Sequence, residues 1–391
     1  MRLRLTSILL LLIVTVASIA QDRDTAEYRV ARVIDLGVLA GPRRTAAILS
    51  PDGDRYAWFD NHSVTLFSLP ENREEARYPF GEEMSPDPDA VRWSPDGRYL
   101  AFPDHEALAR FVDSDIQVLD VETGEFRNVT DDGYDGSLMT ARDKPTNPVF
   151  LDVAVAWSDD GRLAFLRYPV TDSGPAAELQ IGIVDPASGE TGLLAEWTPA
   201  EPYISRALAW RGNAIAVGRA PAGPQSIDTG IVLIDAESGD RERVVGVSEN
   251  LRAIVSLQWS ADGSSLLAYN PIYRLQYVGA LERAPSDGAG VIDVRNGSEV
   301  AVDDALFVMQ AGFAPEGQAL AYVAQSLSDP DRSGLYIAAG PGMPGALVLP
   351  ILRGDAPTPR SYAPLVWASD NTIMIRDNES LEAVLVVLER R

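Results

Sequence analysis

The chain has 391 residues, 46% of them hydrophobic, and carries 57 acidic against 33 basic side chains for a net charge of −24. That balance excludes a nucleic-acid surface, whose phosphates need a basic face, and a surface for anionic lipid. The absence of cysteine excludes a disulfide framework and a lipoprotein anchor.

In chain order, Arg2 and Arg4 precede an apolar run from Leu5 to Val16. Ser18-Ile19-Ala20 then supplies small residues before the polar Gln21-Asp22-Arg23-Asp24. This is the layout of a secretory signal over residues 1–20, cut after Ala20, with one domain over 21–391. The alternative is an uncleaved tether, for which the apolar run is shorter than the ~20 residues that span a bilayer. The expectation is an exported protein, periplasmic or extracellular.

The segment 27–36, EYRVARVIDL, reads as a strand without a local partner. After it one unit recurs. Leu49, Trp93, Trp157, Trp210, Trp259, Phe313 and Trp367 hold equivalent positions, 44 to 64 residues apart, and five of the seven tryptophans stand there. A turn follows each: Ser50-Pro51-Asp52-Gly53, Ser94-Pro95-Asp96-Gly97, Ser158-Asp159-Asp160-Gly161, Ser260-Ala261-Asp262-Gly263 and Ala314-Pro315-Glu316-Gly317, with degenerate copies after Trp210 and Trp367. Proline presets φ, aspartate bonds the backbone ahead, and glycine takes the φ > 0 position. The aspartates are therefore read as turn formers. A second turn, D-x-x-x-G, recurs at Asp120–Gly124, Asp185–Gly189, Asp235–Gly239 and Asp293–Gly297. Each unit thus has four antiparallel strands, A to D. Repeated at this period they predict an all-β, seven-bladed β-propeller. In blade seven, Ala363–Ser369, Thr372–Asp377 and Glu382–Glu389 supply strands A to C. Strand D is missing, so Tyr28–Ile34 is expected to dock beside Ala383–Leu388 and close the ring.

The recurring W-S-P-D-G-[RS]-x-L-A-F/Y resembles the WD40-like, TolB-type propeller repeat of bacterial secreted proteins, over about residues 45–391. The resemblance implies the fold and export. TolB itself has a separate α/β domain before its propeller, and only a short stretch precedes the first repeat here, so TolB's role in an envelope complex is not implied. Propellers of prolyl-oligopeptidase-like enzymes are similar too, but are joined to a hydrolase domain that this chain lacks.

The A–B and C–D turns share one end of the ring and are uniformly short. The B–C and D–A connections share the other and include Asp131–Leu151, Pro199–Arg206, Asn270–Ala289 and Gly354–Ala363. Long loops on a rigid scaffold are where binding concentrates. They carry Tyr134, Arg142, Tyr203, Arg252, Tyr273, Arg274, Tyr277, Arg360 and Tyr362, residue types favoured at interfaces. This set is the expected partner-binding surface, for a protein or a glycan, on a monomer.

Enzyme chemistry is sparse. Lys144 is the only lysine, His62 and His105 are the only histidines, and neither G-x-S-x-G nor H-E-x-x-H occurs. His105, between Asp104 and Glu106, is the better candidate for a Ser-His-Asp device. Asp131, Asp132 and Asp135 could offer oxygen to calcium, but Gly133 and Arg142 break the EF-hand pattern at its third and twelfth positions, so no metal or cofactor is expected. The reading is a non-enzymatic binding module. The alternative is an enzyme acting on polysaccharide or peptide. At the mouth of the central channel, converging carboxylates or a paired histidine would favour the enzyme; scattered aromatics and arginines would favour the binder.

Overall fold

The computed structural model describes residues 28–38, 46–60, 62–69, 71–81, 84–86, 90–105, 113–134, 148–171, 174–175, 178–197, 207–219, 230–246, 254, 256–269, 289–326, 329–350, 365–369, 371–376 and 382–390. Seven antiparallel sheets form the ring. Blade one pairs Ala46–Leu49, Arg55–Phe59, Ser63–Ser68 and Arg73–Pro79; blade two pairs Arg92–Trp93, Tyr99–Pro103, Ile116–Asp120 and Glu125–Asn128. Blade three pairs Val149–Trp157, Leu163–Thr171, Leu179–Val184 and Thr191–Trp197, with Gly174–Pro175 added to its second strand. Blades four to six begin at Leu208, Ser256 and Phe307. Pro330–Arg332 forms a short 3-10 turn, and no helix among the described residues is long and apolar enough to cross a membrane.

The turn chemistry repeats as its residues dictate. Ser94 Oγ donates to Asp96 Oδ1 at 2.5 Å, Asp96 accepts the Arg98 N–H at 3.1 Å, and the Tyr99 N–H bonds back to Ser94 Oγ at 2.8 Å. The same exchange joins Ser50 to Asp52 and Ser260 to Asp262, so these carboxylates are consumed by their turns. The degenerate units keep the backbone without the motif: Gly212 in blade four and Asn371 in blade seven hold the left-handed position, at φ 52° and 65°.

The recurring tryptophan joins blades. Trp93 Nε1 donates to the Ile48 carbonyl of blade one at 3.1 Å, Trp157 Nε1 to Arg92 of blade two at 3.0 Å, and Trp259 Nε1 to Ala209 of blade four at 3.2 Å. Each ring also fills the seam between neighbouring sheets, so the apolar clusters run across blade boundaries, as when Trp157 packs with Ala101, Ile116 and Val118. Trp210 departs from this and bonds Gly212 in its own turn.

Blade seven closes as expected. Tyr28–Val38 pairs antiparallel with Glu382–Arg390, Tyr28 opposite Arg390 and Ile34 opposite Leu385. Tyr28 meets Trp367 edge-on at 5.1 Å, and Leu36 packs with Leu49 and Tyr56 of blade one. The expected strand A is reduced to a single bridge, Trp367 to Ile373. Its place is held instead by neighbours: the Ser369 N–H bonds the Pro51 carbonyl of blade one at 2.8 Å, and Leu365 N–H bonds Ala311 of blade six at 3.1 Å.

A carboxylate nest as the candidate functional site

Strand A of blade three is an apolar run, VFLDVAVAW, interrupted by Asp152. Pairing places Asp152 directly opposite Arg167 of the next strand. The guanidinium grips it in two-toothed fashion, Nε to Oδ1 at 2.9 Å and Nη2 to Oδ2 at 2.8 Å. Asp152 is 0% exposed. Burial pushes its carboxyl above the usual range, and the bonds from Arg167 oppose that push. Arg167 lies over Phe150 at 4.5 Å and Phe165 at 5.0 Å and also donates to the Thr130 carbonyl at 3.1 Å.

Blade two brings the rest. Asp113, Ser114 and Asp115 lead into its third strand, and all three are buried. The Ser114 carbonyl accepts the Asp152 N–H at 2.9 Å, which ties the two blades. Asp115 accepts Asn128 Nδ2 at 2.8 Å and Thr130 Oγ1 at 3.4 Å. Asp104, at the end of the second strand, accepts the Asp115 N–H at 3.0 Å, Gln117 Nε2 at 3.4 Å and His105 Nδ1 at 2.8 Å. Asp132 accepts the N–H groups of Tyr134 at 3.0 Å and Phe150 at 2.7 Å.

Asp113 differs from the others. It is 3% exposed, and its Oδ1 has no hydrogen-bond partner. Burial first, then the charges of Asp115, Asp132, Asp104 and Asp152, push it up to about 9. Burial likewise pushes Asp115 up to about 7 against the bond from Asn128. Several carboxyls held apart in this way are what acid–base and ion-binding sites are made of.

Of the residues the sequence singled out, Tyr134 is half-buried and packs on the core shared by blades three and four. Arg142, Tyr203, Arg252, Tyr273, Arg274, Tyr277, Arg360 and Tyr362 lie outside the described residues, as does Asp135. Asp131 accepts the Gly133 N–H at 2.8 Å. Among the described residues no group of three or more histidine, aspartate or glutamate side chains is placed to hold a metal ion. His62 is exposed in its turn. The nest itself escaped the sequence reading, which noted only that His105 stands between Asp104 and Glu106. The available signal was an aspartate inside each of two apolar strand entries, DSDIQV and FLDVAV.

No protein-family model and no curated protein matches the chain. The solved structures do. An oligogalacturonate lyase in complex with manganese superposes with TM-score 0.58 at 14% identity, over 89% of this chain and 90% of that one. A chain of the mitotic checkpoint complex gives TM-score 0.58 at 14% identity, over 95% and 94%. The oligogalacturonate lyase of Vibrio parahaemolyticus gives 0.55 at 12%, over 94% and 95%. The likeness is one of fold: this chain is a seven-bladed propeller of the kind that serves an enzyme in two of those proteins and an assembly in the third.

Proposed function

We propose that the protein is an exported binding platform that engages a protein or glycan partner through the end of the ring bearing the long connections. The observation that carries this reading is the inequality of the two ends. At one, the turn residues are spent on each other. At the other, a buried nest of carboxylates at a blade seam keeps an oxygen unused. The apolar leader and the TolB-like repeat support export, and closure of blade seven by the chain's own strand supports a monomer. Crosslinking of the mature chain in an envelope extract and in medium tests it. Replacing residues 135–147 and 271–288 by short Gly/Ser linkers spares the strands and should abolish capture. A partner retained after both replacements places the interface at the other end.

One observation favours an enzyme acting on polysaccharide or peptide: buried carboxylates of blades two and three lie along one seam, and His105 is paired with Asp104 at 2.8 Å. Against it, Asp104, Asp132 and Asp152 are tied to backbone amides or to Arg167. The Ser114 hydroxyl bonds the His105 carbonyl rather than its ring. Turnover of an oligosaccharide or peptide substrate that disappears in His105→Ala would replace the binder by the enzyme.

A further inference from the structure

The charges around Asp113 do not balance. The charge of Asp115 acts on it from its own segment, that of Asp132 from the connection between blades, that of Asp104 from just past the second strand of blade two, and that of Asp152 from blade three. Among the described residues, two basic groups serve these acids. Arg167 is committed to Asp152 and the Thr130 carbonyl, and the His105 ring to Asp104. Asp115 has neutral donors in Asn128 and Thr130. Asp113 Oδ1, buried under the charge of four carboxylates, has none.

A buried carboxylate oxygen without a partner destabilises the fold and contributes no packing that an apolar side chain would not supply better. The position therefore has the chemistry of a receptor for positive charge. A metal ion is the poorer fit, because no three acidic or histidine groups among the described residues converge to ligate one. A guanidinium or ammonium needs only one or two carboxylates, and its charge-assisted bonds are short, strong and directional.

We propose that Asp113 is the anchor of a cation subsite, in which a guanidinium or ammonium group of the partner binds at the nest between blades two and three. This rests on the binding reading above and deepens it by naming the chemistry of the group recognised. Occupation requires Asp113 in its charged form, so a proton leaves as the cation enters, and affinity rises with pH.

The test uses the mature chain in 150 mM salt (on the order of a Debye length of 8 Å, which screens general attraction to an acidic surface). The probes are N-acetylarginine amide, N-acetyllysine amide and, as the neutral isostere, N-acetylcitrulline amide. Calorimetry at pH 7 and pH 9 should show one site for the arginine or lysine probe, tighter at pH 9, and none for citrulline. Asp113→Asn should weaken the cation by about ten- to a hundredfold, the worth of a charge-assisted bond. Asp131→Asn, exposed nearby, should change it less than about twofold, the scale of an exposed charge. Asp113→Asn should also melt no lower than the parent at pH 9, which certifies that it is folded. Equal binding of citrulline, an unchanged affinity in Asp113→Asn, or no binding of either cation overturns the subsite. Partner capture that persists in Asp113→Asn overturns the subsite and leaves the binding platform standing.

Discussion

The two ends of the ring are built by opposite rules. At the short-turn end, the turn motifs close local circuits: Ser158 bonds Asp160 and the Arg162 N–H within five residues, and Arg98 grips Asp120 of its own blade at 2.7 Å. These contacts are near in sequence, partly exposed and cheap to make. At the other end, near blades two and three, polar groups from five separate stretches are buried together, and the balance of charge is left to tertiary arrangement. A local turn is insured by repetition; a seam is only as stable as its least satisfied member.

Removing the closing strand should have the largest effect, because Tyr28–Val38 runs from the short-turn end to the other and ties both. A chain beginning at Ala40 loses that ladder together with the buried Tyr28 and Leu36. Each such side chain is worth about 1.5–3 kcal/mol, so the melting temperature should fall by roughly 10 °C or more. An unchanged melt would show that the ends do not depend on closure.

Single substitutions compare the ends directly. Trp157→Ala at the short-turn end should cost about 3–5 kcal/mol by opening the seam, and Trp157→Phe about 1 kcal/mol for the lost bond to Arg92. Arg167→Met in the nest should cost about 3–5 kcal/mol at neutral pH, because it strands Asp152 as a buried charge. Denaturant titration separates the two through pH. The Arg167→Met loss should shrink as Asp152 takes up a proton on acidification, while the Trp157→Ala loss should stay constant.

A smaller effect has the opposite sign. Asp113 and Asp115 have folded pKa values of about 9 and about 7, above the ~3.9 of an unfolded aspartate. The folded chain therefore holds more protons than the unfolded chain between those values. Their contribution is fully present below about pH 4 and is lost as pH rises through 7 and then 9. Asp113→Asn should flatten the alkaline part of that decline and raise the melting temperature at pH 9. A small change also belongs to the redundant end: Gly97→Ala, at φ 69° with Asp52 and Arg55 at ordinary contact distance from the added Cβ, should cost about 1–2 kcal/mol for the left-handed backbone.

Blade number, turn type and closure were legible because each is written in local chemistry and written several times over. The two degenerate turns were harder, since a lone Gly212 or Asn371 does the work of a four-residue motif. The role of the tryptophan as an inter-blade donor was not legible. Its position recurs in sequence, but the carbonyl it reaches lies about one whole blade earlier in the chain, as with Trp93 and Ile48. The pairing of His105 with Asp104 was accessible because the two are adjacent.

By itself, the sequence determined the ring: periodic strands, φ > 0 positions and an orphan N-terminal strand leave one way to satisfy the backbone. Only the tertiary structure decided which of its 57 acidic residues matter beyond solubility. In sequence, Asp113, Asp115 and Asp152 are marked only by the apolar strands they enter or interrupt. They become distinct when packing removes water from around them, because the energy of a charge depends on its surroundings and on neighbours that the chain brings from another blade.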